Sequence, residues 1–160
     1  MRQAESQVEQ ARVSRAQVAG ALNLPATQLW MGHYGPSGEK LDPMMRYPYP
    51  NWTPIGGWRI DPSLVYAHSL QESAFRTSVI SGAGARGLMQ VKPTTAQEMA
   101  RARGAFLSAN DLDRPSVNLE YGQSYIEKLR DMNATGGLLP KVIAAYNAGP
   151  APITRWNSEI

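Results

Sequence analysis

Apolar residues recur along this chain at helical spacing, and no segment alternates with the period of two that a half-buried strand requires. A stretch rich in Ala, Gln, Glu and Arg, from about Gln3 to Leu22, predicts a first helix. Pro25 predicts a short second helix to Met31, because proline lacks only an N–H that the first helical position would leave unpaired. From Gly32 to Gly57 the periodicity disappears. Pro36, Pro43, Pro48, Pro50 and Pro54 lie there among glycines, with Tyr47, Tyr49, Trp52 and the adjacent Trp58. This composition predicts an irregular segment packed by its own aromatics, and the one boundary in the chain.

Periodicity returns at Asp61-Pro62, a capping residue followed by proline at the first helical position, and predicts a helix to about Ser73. Spacing by three and four puts Val65, His68, Ser69 and Glu72 on one face of it. A glycine-rich loop, Ser81 to Gly87, follows. Pro93 predicts the next helix, with Thr95 and Glu98 spaced as a capping box and Gly104 as the stop. Pro115 opens a long amphipathic helix with Val117, Tyr121, Tyr125, Leu129 and Met132 along one stripe. A last helix runs from about Leu139 to Asn147 and stops at Gly149-Pro150. The fold expected is mainly α, with at most a small β element near the glycine loop.

Composition narrows the classes. At 160 residues, with 42% hydrophobic and 18% charged positions, the chain is one ordinary globular domain rather than a disordered segment. The absence of cysteine excludes a disulfide framework and any thiolate metal site, and two histidines leave little for a zinc site, so no metal and no cofactor are expected. A net charge of +3 is dispersed, without the basic clusters and interleaved aromatics of a nucleic-acid surface, so no nucleic-acid partner is expected. No apolar run approaches the ~20 residues of a membrane span, and Met1 to Glu5 do not start a signal peptide.

Two motifs are rejected on context. Gly82, Gly84 and Gly87 satisfy G-x-G-x-x-G, but a helix precedes them where a dinucleotide site needs a strand. His68 and Ser69 are neighbours on a helix and point about 100° apart, so they are not a hydrolase pair, and His68 reads as a packed helix residue. The thirteen carboxylates then sort by place. Asp61 and Glu98 read as caps, Asp111 and Asp113 as turn residues, and Glu120, Glu127 and Asp131 as a solvated face beside Lys128 and Arg130. Glu5, Glu9, Glu39, Asp42 and Glu159 lie in terminal or loop-like stretches. Glu72 alone ends an apolar helix and faces the glycine loop, where apolar burial would raise its pKa as a general acid needs. Its bland alternative is a helix-end carboxylate paired with Arg76 or Arg86.

The residues from about Pro62 to Trp156 resemble the soluble lytic murein transglycosylases, whose catalytic domain is related to goose-type lysozyme. Glu72-Ser73-Ala74-Phe75 is similar to the motif that carries the family's catalytic glutamate. Gly84-Ala85-Arg86-Gly87-Leu88-Met89-Gln90, with Pro93 and Thr95-Ala96, resembles the second motif, and Ala144 to Pro150 the third. The resemblance implies a lysozyme-like α-dominant fold and a single acid–base glutamate, Glu72. It implies a cleft lined by Ser81, Met89, Gln90, Tyr146 and Asn147, with Tyr146 near Glu72, and with Gln90 and Asn147 holding sugar or acetamido groups.

The reaction implied is non-hydrolytic cleavage of the N-acetylmuramic acid–N-acetylglucosamine β-1,4 bond of peptidoglycan, leaving 1,6-anhydro ends. The implied partners are glycan strands and, beyond them, cell-wall or secretion machinery. The location implied is the periplasm or cell envelope. The alternatives are a hydrolytic muramidase and a non-catalytic wall-binding or secretion-scaffold module. The resemblance further implies a division into a preceding helical or linker region, 1–57, and a catalytic domain, 58–160, shortened at its C-terminal end relative to the family.

Overall fold

A computed structural model describes residues 2–34 and 43–158. Helices dominate: α1 (Arg2–Ala21), α2 (Pro25–Tyr34), the single turn α3 (Pro43–Arg46), α4 (Pro62–Ser73), α5 (Pro93–Ala102), α6 (Pro115–Arg130), α7 (Leu139–Ala148) and α8 (Pro150–Ser158), with a 3-10 turn at Ala109–Asp113 before α6. Proline stands at the first position of α2 through α6 and of α8. The local code for where helices start is therefore strong, since proline's fixed φ is already helical and its ring forbids continuation from the residue before. No sheet forms among the described residues. Around the glycine loop there are only two isolated antiparallel bridges, Ile80 with Arg86 and Arg86 with Val91.

Two elements were not legible as predicted. α3 is a helical turn inside the expected irregular segment, much of which (35–42) lies outside the described residues. The chain also does not end its helices at Gly149-Pro150. Gly149, at φ 81°, turns the backbone, and Pro150 opens α8, which buries Ile153 to 1% exposure.

α6 is the axis of the molecule. From Val117 to Ser124 every residue is buried, so the one-stripe amphipathic reading is too narrow. Such a helix can carry polar side chains only if each finds partners, because an unpaired buried polar group costs on the order of 1–3 kcal/mol. They do. Asn118 donates to the carbonyls of Arg86 and Leu112, each at 2.8 Å, and accepts from Met89 N–H at 2.8 Å. Gln123 accepts from Arg59 N–H and donates to Gly57 carbonyl.

Glu120, expected on a solvated face, is 5% exposed. It accepts from Gly56 N–H at 3.1 Å and pairs with Arg59 at 2.9 Å and Arg103 at 2.8 Å. Asp113, expected in a simple turn, receives a two-pronged bond from Arg86 at 3.2 and 2.8 Å. Glu98 does not cap α5; the N-cap is Lys92, without a side-chain bond, and Thr95 lies inside the helix. The capping box that does form is Ser108 with Asp111, at the 3-10 turn.

The core joins Val65, Leu88, Met89, Leu112, Leu119, Leu129, Val142 and Ile153 with Leu29 of α2. The aromatic segment before α4 is tied to it by Tyr66, whose hydroxyl is shared between the carbonyls of Pro50 and Trp52 at 2.8 Å each. Burial, then neighbouring Tyr49, pushes that phenol up to about 12.

Candidate functional site

Asp61 caps α4 by accepting from Ser63 N–H at 2.8 Å, as its sequence position predicts. The other end is less ordinary. Ala74 and Phe75 both take positive φ, 50° and 61°, immediately after the helix that carries Glu72. Left-handed backbone at non-glycine residues costs about 1–3 kcal/mol each. Burying Phe75, 3% exposed, offsets much of this, since a buried phenylalanine contributes about 1.5–3 kcal/mol. Glu72 sits in the last turn of α4, two residues before this left-handed turn.

The glycine loop builds the facing wall. Ser81 hydroxyl accepts from Ala85 N–H at 3.0 Å, and Arg86 and Val91 exchange backbone bonds at 3.0 and 3.1 Å. Gly87, at φ 72°, lies against Asn118 and the Leu112 carbonyl so closely that no Cβ fits. Gln90 is held at φ 48°, and its amide donates to the carbonyls of Val79 and Gly87 at 3.2 and 2.9 Å. Non-glycine residues in left-handed backbone, two after α4 and one in the loop, are the pattern expected where the surroundings fix a conformation for function.

Between these walls lies a cavity of about 240 Å³ lined by Glu72, Ser81, Gln90, Tyr146 and Asn147, together with Ala85, Val91, Lys92, Thr95 and Tyr125. Five of the six residues named from the resemblance thus come together from α4, the loop and α7. Met89 does not join them by its side chain. It is fully buried, and its sulfur fits where Gly122 has no Cβ. Its carbonyl instead receives the Tyr146 hydroxyl at 2.7 Å. Lys92, Thr95 and Tyr125 were missed by sequence reasoning. In the sequence Thr95 stands at a capping-box spacing and Tyr125 on the amphipathic stripe of α6, and neither place marks which face of a helix borders a cavity.

The Glu72 carboxyl has no hydrogen bond and no ion pair among the described residues. Arg76 donates to the Ser73 carbonyl at 3.0 Å and Arg86 is held by Asp113, so neither cation is its partner. Burial raises the Glu72 pKa, with His68 one turn back opposing the rise. Tyr146 is anchored on Met89 and not bonded to Glu72, yet the two share an environment. Burial first, then the Glu72 carboxylate and Tyr125, lift the Tyr146 phenol well above its ordinary value. An unpaired carboxyl with a raised pKa, in a cavity with amide and hydroxyl groups, can deliver a proton to a bound ligand and take one back. No cluster of metal-binding side chains occurs among the described residues.

Known proteins resemble this chain in sequence and in fold. The family model for the transglycosylase SLT domain matches residues 55–159. The soluble lytic murein transglycosylase of Escherichia coli K12 is 33% identical over 102 residues, covering 62% of this chain and 16% of that protein. The membrane-bound lytic murein transglycosylase C of Actinobacillus pleuropneumoniae is 38% identical over 104 residues, covering 60% of this chain and 28% of that protein. This chain therefore matches less than a third of the length of either relative.

Among solved structures, the 70 kDa soluble lytic transglycosylase of Escherichia coli superposes with a TM-score of 0.74 at 27% identity, covering 91% of this chain and 24% of that one. An inactive glutamate-to-glutamine variant of lytic transglycosylase Slt from Pseudomonas aeruginosa gives 0.69 at 28% identity, with the same coverage. The chain belongs to the transglycosylase SLT domain family.

Proposed function

We propose that this domain cleaves the N-acetylmuramic acid–N-acetylglucosamine β-1,4 bond of peptidoglycan without water, leaving 1,6-anhydro ends, and that Glu72 serves as acid and then base. The observation that carries the proposal is the single unpaired carboxyl in the cavity, its pKa raised by burial. Protonated Glu72 gives its proton to the glycosidic oxygen as the C1–O bond breaks. The carbonyl oxygen of the substrate's own acetamido group closes on C1, so no second protein carboxylate is required. Ionised Glu72 then takes the proton of the C6 hydroxyl while O6 displaces the acetamido oxygen from C1. Glu72 ends protonated, as it began, and no atom is added to the sugar.

Ser81, Gln90 and Asn147 line the same cavity and supply polar contacts for the sugar, while Tyr146 braces the wall through Met89. The catalytic unit in this reading is 58–160, with 1–57 belonging to a preceding helical or linker region, and the location is the periplasm or cell envelope. Digestion of purified peptidoglycan followed by mass spectrometry of the products is the test. Anhydro ends, lighter by one water than hydrolysed ends, are expected; reducing ends would replace this reaction by hydrolysis, and intact glycan by a binding role.

A further inference from the structure

The reaction proposed above uses Glu72 for the proton and Ser81, Gln90 and Asn147 for the sugar. Two polar side chains on the cavity wall, Lys92 and Thr95, have no part in it. They stand at the N-cap and at the third position of α5. Those positions ordinarily serve the helix itself, because a Ser, Thr, Asp or Asn at the N-cap accepts from the N–H of the third residue. The lysine ammonium only donates, and no side chain caps α5. The helix therefore gains nothing from a lysine there. Lys92 is exposed, and neither its ammonium nor the Thr95 hydroxyl has a hydrogen bond or an ion pair among the described residues. The backbone beneath them is fixed all the same. Val91 and Arg86 exchange bonds just before, and the Lys92 carbonyl accepts from Ala96 N–H at 3.0 Å. A flexible four-carbon stem on a rigid base delivers a point charge to the cavity wall.

The charges around the cavity indicate what that point charge meets. Glu72 and Lys92 are the charged side chains among its lining residues. Glu72 begins the proposed reaction protonated, so the resting cavity carries the Lys92 charge alone. That charge does not serve Glu72, whose pKa is shifted by burial and by His68. Acetamido and hydroxyl groups of a glycan are neutral and leave it unanswered. The anions of a peptidoglycan strand are carboxylates on the lactyl arm of muramic acid, at the end of the bare arm or on the peptide joined to it.

We propose that Lys92 is a specificity residue of the cavity and binds a carboxylate carried on a lactyl arm, with the Thr95 hydroxyl from the same turn of α5 as a second donor. Hydrogen bonds to an ionised acceptor are roughly twice as strong as neutral ones, so two donors suffice to favour a charged arm over a neutral one. The inference rests on glycan cleavage being the reaction of this domain.

The test measures binding apart from turnover, in the full chain carrying Glu72→Gln, which keeps the charge the cavity has when Glu72 is protonated. The probes are strands bearing peptides, strands stripped to bare lactyl carboxylates, and both kinds with every carboxyl converted to a carboxamide. Carboxylate strands should bind better than their carboxamide counterparts. Lys92→Met should lower that preference by about fivefold, the upper end for a solvent-accessible ion pair. Lys92→Arg should restore it, since the charge is what is read, and added salt should shrink it. Lys92→Gln takes the place of Lys92→Met if the latter folds poorly. A loss confined to peptide-bearing strands puts the carboxylate on the peptide, a loss confined to stripped strands puts it on the arm, and a loss in both means that either is bound. A preference that is absent, or that Lys92→Met leaves unchanged, overturns the proposal. Digestion of the same strands by the parent keeps the two readings apart. Uncut glycan with a Lys92-dependent preference removes the reaction and leaves the subsite, whereas cut glycan with a preference indifferent to Lys92 does the reverse.

Discussion

Two glutamates, Glu72 on α4 and Glu120 on α6, are both withdrawn from water, and the protein treats them in opposite ways. Around Glu120 burial alone would raise the pKa, but Gly56 N–H, Arg59 and Arg103 together hold it below its usual value. Around Glu72 nothing comparable is offered; burial dominates and only His68 opposes it. The first arrangement holds a charge and fastens the segment before α4 to the central helix. The second leaves a proton loosely held at the edge of a cavity. Partners, more than burial, decide whether a carboxylate is a rivet or a reagent.

The sharpest way to break this comparison is to neutralise each carboxyl in turn. Glu72→Gln should keep the fold and lower turnover on purified peptidoglycan by at least about a hundredfold, the low end for loss of a general acid. Near-normal turnover would remove Glu72 from the reaction. Glu120→Ala should do the reverse. It leaves two arginines facing an empty site and should destabilise the domain by about 3 kcal/mol, measured by urea unfolding. The low end of the usual range applies because Arg59 and Arg103 are 33% and 46% exposed and can turn to water. Activity per folded molecule should hardly change.

The smallest effect is a dependence on pH. A raised carboxyl pKa in the folded state means that Glu72 contributes most to stability when protonated, below its unfolded value, and that this contribution is lost as pH rises through the folded value. Glu72→Gln should therefore unfold at a higher temperature than the parent at neutral pH, the gap closing as pH falls through the carboxylate range. Glu120, with its pKa depressed, contributes in the opposite window, above its unfolded value, and that contribution is lost on acidification. Equal melting curves for Glu72→Gln and parent at every pH would show that Glu72 is not held out of water.

The same pair shows what the sequence could and could not say. Helix starts were legible because proline acts within one turn: Pro25, Pro62, Pro93 and Pro115 mark them as expected. Glu72 was singled out because its position, at the end of an apolar helix before glycines, is also local. Glu120 was misplaced because its partners, Gly56 and Arg59, lie more than sixty residues upstream, and a run of Glu, Lys and Arg reads as solvated when only its own helix is considered. Asn118 escaped notice for the same reason. Its three bonds reach Arg86, Met89 and Leu112, and nothing at its own place in α6 announces them. α8 is not legible in the sequence because Gly149-Pro150 both ends one helix and begins the next, and a glycine followed by proline reads first as a stop.

Asn118 carries one more consequence, in the timing of backbone motion. Loops ordinarily open by themselves and exchange their amide hydrogens within moments, far ahead of helices. Here the Met89 amide, though in a loop, is clamped by a side chain rooted in a helix that is buried at every position from Val117 to Ser124. That amide meets solvent only when the Asn118 side chain releases it, and the same side chain also holds the carbonyls of Arg86 and Leu112. Its hydrogen should therefore be among the slower ones to be replaced by deuterium, outlasting those of α7 and α8.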